Sequence, residues 1–289
     1  MYNRIRSEIY RATHSISTWL IILAFIVSVC FASYLMCASI DPESDMYVMF
    51  NSEQTPTSAE DGLSVSFNPE AAPESTFPDF AEDGTYYLDN VISITSEKAI
   101  FLLVFTALFC GSIYSSGFVK SIPASRKSRI QQLTALFAVV TLWFLLVSLV
   151  GIVFNIIVSG IYYDKIGIYS LTSVLGILGR NFLLHMGLTS FIIMTCVILK
   201  KKTAPLVIGV IIASGSLSPF WNFADWIFAK ICKAMDIKTT ILLQDYSLME
   251  NIYNIAPYDN ITRNLVVGAV SLVLFLGISY YTICKKDIV

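Results

Sequence analysis

The densest group of residues able to do chemistry in this chain is basic and lies at 116–129. The segment reads SGFVKSIPASRKSR, and its cations are Lys120, Arg126, Lys127 and Arg129. Gly117 ends an apolar run, and Pro123 favours the start of a new helical turn. A short amphipathic helix here, parallel to the membrane, would offer these charges to the cytoplasm. Alternatively, the charges serve only to orient the neighbouring apolar segments.

Groups suited to catalysis are scarce. The chain has two histidines, His14 and His185, and it lacks the phosphate-binding motif G-x-x-x-x-G-K-[ST]. It also lacks HExxH, GxSxG and GxGxxG, and its six cysteines form no C-x-x-C pair. We therefore predict no catalytic residue, no metal site and no cofactor in this chain, which disfavours an intramembrane enzyme. For His185, a polar contact with a neighbouring helix is favoured over a proton relay.

The elements that position these residues are apolar. Hydrophobic residues make up 55% of the 289 residues and charged residues 14%, against about 25% charged in soluble domains. The apolar residues gather in runs of about 20, the length that crosses a bilayer as a helix. The sequence thus predicts an all-α membrane protein with six transmembrane helices. The predicted spans are 18–40, 99–118, 133–158, 180–199, 204–217 and 264–283.

The distribution of charge predicts the orientation of these spans. Of the 19 Lys and Arg residues, 12 lie in short segments that alternate between the spans, and such residues stay cytoplasmic. These segments are the N-terminus, the loop 119–132, Lys200 to Lys202, and Lys285 with Lys286. Both termini are therefore expected in the cytoplasm, and 41–98, 159–179 and 218–262 on the outside.

The segment 41–98 has the opposite charge. It contains 13 Asp and Glu, one Lys and five of the nine prolines. Such a composition predicts an acidic, partly or wholly disordered external loop. A solvated loop without a ligand is the favoured interpretation, and capture of cationic peptides is the alternative.

Two more segments have predictable positions at the membrane surface. Residues 1–17 place Ile5, Ile9 and Ala12 on one side, with Arg4, Arg6 and Arg11 largely elsewhere, which is typical of an amphipathic interfacial helix. A charged flank that only sets topology is equally consistent with this pattern. Between the last two spans, 218–262 is aromatic-rich but interrupted, and it predicts two short helices that enter the outer leaflet and return. Arg180 is expected at the outer interface, because a charge at mid-bilayer costs several kcal/mol.

Four of these features resemble the type-2 ATP-binding-cassette exporter permeases, including those of lantibiotic-immunity and antimicrobial-peptide exporters. They are the stretch RIRSEIYR, the loop GFVKSIPASRKSR, the interrupted helices after Pro219, and the terminal YYTICKKDIV. The resemblance covers the six-span frame, although the loop 41–98 is longer than the usual first connection of the family.

The resemblance implies a permease that forms a homo- or heterodimer in a bacterial plasma membrane and works with separate ATPase subunits. Those partners would bind ATP and Mg. The loop 119–132 is similar to a coupling helix, which implies ATPase-coupling roles for Gly117, Lys120, Pro123, Arg126, Lys127 and Arg129. The implied substrate is an amphipathic peptide, a drug or a lipid-like molecule, with no role for nucleic acid. The rival hypothesis is a membrane-anchored binding, sensing or immunity protein without a transport cycle.

Overall fold

The computed structural model describes residues 2–40, 85–87, 98–115, 126–162, 165–168, 171–234, 242–253 and 261–285. Its helices are α1 (Tyr2–Thr13), α2 (Ile16–Ile40), α3 (Lys98–Ser115), α4 (Arg126–Tyr162), α5 (Leu171–Leu199), α6 (Thr203–Ala213), α7 (Ser218–Ala234), α8 (Leu248–Tyr253) and α9 (Ile261–Lys285). A 3-10 turn spans Gln244–Tyr246, and two short strands are β1 (Thr85–Tyr87) and β2 (Lys165–Gly167). Most of the acidic segment 41–98 lies outside the described residues.

Four helices are long and apolar enough to cross a membrane, namely α2, α4, α5 and α9. The helices α3 and α6 are apolar but shorter, and α6 has only 11 residues. The prediction of a helical membrane protein is confirmed at the level of these four helices. Six crossings remain a prediction.

The outer surface of α2 has the apolar character that lipid requires. Leu20, Leu23, Val27 and Phe31 lie one helical turn after another along one stripe, and each is about 60% exposed. A continuous apolar stripe of this kind would be costly in water, whereas hydrocarbon chains solvate it well.

Two helices begin earlier than the sequence predicts. The helix α4 starts at Arg126 rather than near Leu133, so 126–132 continues the long helix instead of belonging to a loop. The helix α5 starts at Leu171 rather than at Arg180. At the start of α4, Ser128 and Gln132 have polar partners in α1. At the start of α5, Val174 and Ile177 are buried in the bundle.

Arg180 lies within α5, and its depth in the membrane stays a prediction. Its side chain is only 2% exposed, inside the helix bundle, and its Nε lies 3.4 Å from the carbonyl oxygen of Gly176. His185 is fully buried one turn further on, with Nδ1 2.8 Å from the carbonyl oxygen of Asn181 and its ring beside Phe144. The polar residues of α5 from Arg180 onwards thus face the interior of the bundle.

Among the described residues, the helices α5 and α9 form the most extensive contact between two helices. A Cβ atom built on Gly268 of α9 would lie 3.0 Å from both the backbone carbon and the Cβ of Leu183, and 3.1 Å from the nitrogen of Leu184. One built on Gly187 of α5 would lie 3.2 Å from the carbonyl oxygen of Gly268. Glycines facing each other allow the two backbones to approach, which maximises van der Waals contact between helices in lipid.

Side-chain contacts connect the remaining long helices. Ser33 of α2 donates a hydrogen bond to the buried Asn155 of α4. Phe105 of α3 stacks on Trp143 of α4, with ring centroids 4.1 Å apart. On the side where α4 ends and α5 begins, β1 pairs in parallel with β2, so that part of the segment 41–98 lies beside the connection between these helices.

The segment after α6 is held by polar contacts at several points. The helix α6 ends in a turn in which Gly215 adopts a φ of 70°. The carboxylate of Asp225 in α7 accepts hydrogen bonds from the backbone nitrogens of Leu243 and Gln244, and Asp245 forms an ion pair with Arg263 at 3.1 Å. The hydroxyl of Tyr253 in α8 donates to the carbonyl of Ala213 at 2.5 Å. These contacts fix α7 and α8 against the ends of α6 and α9.

Candidate functional site: the basic end of the bundle

The first helix packs against the bundle through its polar face. Arg4, Glu8 and Arg11 follow one another at i, i+4 and i+7 and therefore share one side of α1. Glu8 is 4% exposed and Ala12 is equally buried. Of the predicted apolar side, Ala12 is buried and Ile5 and Ile9 are half-buried. That α1 lies in the membrane interface stays a prediction.

Glu8 is the centre of this contact. One carboxylate oxygen accepts a hydrogen bond of 2.6 Å from Nε2 of Gln132 in α4, and the other lies 2.7 Å from the guanidinium of Arg11. A buried carboxylate needs such partners, because an unpaired charge would cost several kcal/mol. The pair of contacts fixes the rotation of α1 relative to α4.

Arg4 makes the second contact between α1 and α4. Its two terminal nitrogens each donate to Ser128, one to the backbone carbonyl and one to the hydroxyl, both at 2.5 Å. Charge-assisted bonds of this type are stronger than neutral ones, and the planar guanidinium makes two of them at once. The first turns of α4 are thus held by α1, which explains why 126–132 is helical rather than a loop.

Arg11 extends the contact to α3. Its guanidinium lies over the ring of Phe109 at 4.3 Å and donates to the carbonyl of Phe109 at 3.3 Å and to the hydroxyl of Ser112 at 3.4 Å. Burial lowers the pKa of Arg11 from its ordinary value, and the charge of Glu8 opposes this effect. The group stays protonated and serves as a cationic connector between helices.

The turn between α5 and α6 completes this end of the molecule. Lys200 has a φ of 52°, the left-handed conformation that ends a helix, and Lys201 and Lys202 follow it. A Cβ atom built on Gly111 of α3 would lie 2.6 Å from the Cα of Lys202, so only glycine fits there. A small cavity of about 170 Å³ separates Arg11 from Lys202.

Among the predicted coupling residues, the structure distinguishes two kinds. Lys127 is exposed, whereas Arg129 is half-buried and donates to the carbonyl of Ile283 in α9 at 3.5 Å. Arg6 is the exposed cation of the three predicted in α1, since Arg4 and Arg11 face inward. Three predicted residues, Gly117, Lys120 and Pro123, lie outside the described residues, as does the side chain of Arg126.

The structure therefore brings the basic segments together at one end of the bundle. Among the described residues, the exposed cations at this end are Arg6, Lys127, Lys201, Lys202 and Lys285. They come from α1, the start of α4, the turn after α5 and the end of α9. An exposed cluster of cations is suited to contact an acidic protein surface or anionic lipid headgroups.

Sequence reasoning missed the residues that assemble this end. Glu8, Ser128 and Gln132 received no role, although the spacing of Arg4, Glu8 and Arg11 is a visible polar stripe at helical period. The small size of Gly111 favours a close approach of another helix, but that the neighbour is Lys202 depends on how α3 packs against the turn before α6.

Comparison with models of known protein families and with curated proteins gave no match.

Proposed function

We propose that this chain is the transmembrane permease subunit of an ATP-binding-cassette exporter. The observation that carries the proposal is the basic end, where cations from four chain segments lie on helices that continue into the long apolar spans. A partner ATPase that bound this surface could pass its motion directly into α4 and α5. The substrate would be an amphipathic peptide, a drug or a lipid-like molecule, exported through the interface with a second permease.

The contacts of α1 support the coupling part of this proposal. Because Glu8, Arg4 and Arg11 connect α1 to both α3 and α4, a force applied at the basic end would move these helices as one unit. ATP and Mg would be bound by the partner, since the chain carries no phosphate-binding loop of its own.

Charge reversal on the exposed cations tests the proposal. The variant Lys127→Glu/Lys201→Glu should lose association with the partner ATPase and ATP-driven transport by at least about tenfold, since each reversal replaces attraction by repulsion across the contact. Co-purification and transport in proteoliposomes measure the two effects. The matched control is Lys165→Glu, an exposed lysine in β2 at the other end of α4.

Two results would contradict the proposal. One is ATP-driven transport by the purified chain without any ATPase. The other is unchanged transport in the double variant while the control behaves identically. Ligand binding by the chain without any transport cycle would instead support the rival, a binding, sensing or immunity protein.

The orientation gives a separate prediction. A membrane-impermeant maleimide applied to intact cells should label Lys165→Cys above the background of the native cysteines, and should label Lys201→Cys only after the cells are opened. Both lysines are exposed, so access depends on the side of the membrane. The reverse pattern would show that the basic end faces outwards, against the positive-inside distribution.

A further inference from the structure

A second cavity lies away from the basic end. It has a volume of about 460 Å³ and lies between α5, the end of α6, the start of α7, α8 and α9. This volume falls within the range of small-molecule sites, roughly 300–1,000 Å³. The cavity is not used by the proposed coupling, and no role was predicted for its residues from the sequence.

The position of the cavity at the end of α6 indicates that it lies at the depth of the lipid chains. The 11 residues of α6 rise about 16 Å from the basic end, about half of a hydrocarbon core of roughly 30 Å. Ile212 and Leu217, at the end of α6 and in the following turn, line the cavity. Tyr246 and Tyr253, which also line it, are about half exposed, so the cavity reaches the molecular surface.

The lining combines an apolar part with an aromatic and acidic part. Phe191 and Phe275 form one wall, in edge-to-face contact at 5.1 Å. Trp221, Tyr246 and Tyr253 add three more rings, and Glu250 is the sole charged residue among the described lining residues. Aromatic faces beside a carboxylate are the groups that recognise a quaternary ammonium ion.

Hydrogen bonds also hold the residues that line the cavity in place. The hydroxyl of Tyr253 donates to Ala213, and the buried Asn251 donates to the carbonyls of Asp245 and Ser247 at 2.7 Å each. The short helix that carries Glu250 and Tyr253 is therefore held in place beside the cavity. Such support keeps a binding site organised before a ligand arrives.

We infer that this cavity binds a single-chain amphiphile with a quaternary ammonium headgroup. The alkyl chain lies between Phe191, Phe275 and Leu188, and the headgroup lies among Trp221, Tyr246 and Glu250. The site goes beyond the permease function and does not depend on it, because binding needs neither ATP nor a second subunit.

Trp221 supplies the readout for a test. A bromoalkyl probe quenches tryptophan fluorescence on contact, so ω-bromodecyltrimethylammonium and ω-bromodecanol can be compared in nanodiscs of phosphatidylglycerol. Quenching that is present in the native chain and absent from Trp221→Phe reports the cavity and excludes probe dissolved in the lipid. We expect the ammonium probe to half-saturate this component at a concentration about fivefold lower than the alcohol.

Different variants test the charge of Glu250 and the volume of the cavity separately. Glu250→Gln should reduce the preference for the ammonium probe, because the carboxylate is lost while the aromatic rings remain, and Glu250→Asp should keep most of the preference. Leu217→Phe should weaken both probes, because the larger side chain fills the cavity. Repeating the titration in phosphatidylcholine distinguishes a lipid source, since a bound choline lipid would compete with the probe.

The inference is overturned if quenching has no Trp221-dependent component, or if the preference for the ammonium probe is the same in the native chain and in Glu250→Gln. Neither outcome bears on the partner ATPase, so failure here and failure of the permease proposal can be told apart.

Discussion

Replacing Gly268 with leucine is expected to force α5 and α9 apart and to produce the largest loss of stability of any substitution considered. The new Cβ alone would lie 3.0 Å from two atoms of Leu183 and 3.1 Å from a backbone nitrogen. Backbone atoms cannot move aside as a flexible side chain can. Overpacking of a core lowers the free energy of unfolding by roughly 1–3 kcal/mol. Because the clash here involves backbone atoms, we expect a loss at or beyond the upper end of this range.

The same helix offers a matched control at Gly277, where an added Cβ would meet nothing within 4 Å. Gly277→Leu should be neutral or slightly stabilising, because leucine favours a helix by nearly 1 kcal/mol over glycine. Thermal unfolding in detergent, followed by size-exclusion chromatography, should show a clearly lower apparent Tm for Gly268→Leu alone. Equal Tm values for the two variants would show that α5 and α9 do not approach as described.

Removing the carboxylate of Glu8 is expected to release α1 from the bundle. In Glu8→Ala, Nε2 of Gln132 loses its 2.6 Å bond and Arg11 loses its 2.7 Å ion pair. A buried polar group left without a partner costs about 1–3 kcal/mol. Opening of α1 should increase accordingly, and limited trypsin digestion at the exposed Arg6 should proceed about tenfold faster.

Two comparison variants sharpen this prediction. Asn3→Ala changes an exposed residue of the same helix, and we expect no change in the cleavage rate. Glu8→Leu/Gln132→Leu removes both partners of one hydrogen bond, so it should be cleaved more slowly than Glu8→Ala. Identical rates for all variants would mean that Glu8 does not hold α1.

The long helices are the part of this fold that the sequence predicted best. An apolar run such as the one in α2 is stable in lipid because of its own composition and length, whatever its neighbours are. The boundaries were predicted less well. The start at Arg126 depends on partners such as Arg4, which binds Ser128 and is distant from it in sequence.

The candidate site shows the same division. The sequence shows which segments are basic, and from it Arg4 and Arg11 were grouped with Arg6 in the interfacial helix, and Arg129 with Lys127 in the coupling loop. The structure turns Arg4, Arg11 and Arg129 inward, to Ser128, Phe109 and Ile283, and leaves Arg6 and Lys127 exposed. A cation's charge is visible in the sequence, but its role depends on which carbonyl or ring lies within reach.

By itself, the sequence determined that this protein has long apolar helices and a strong segregation of charge, because hydropathy and charge are properties of each segment taken alone. The tertiary structure decided that Glu8 is buried, that Gly268 faces Leu183, and that Glu250 stands beside aromatic rings. Each of these is a relation between helices, and its free energy exists only once the helices have packed.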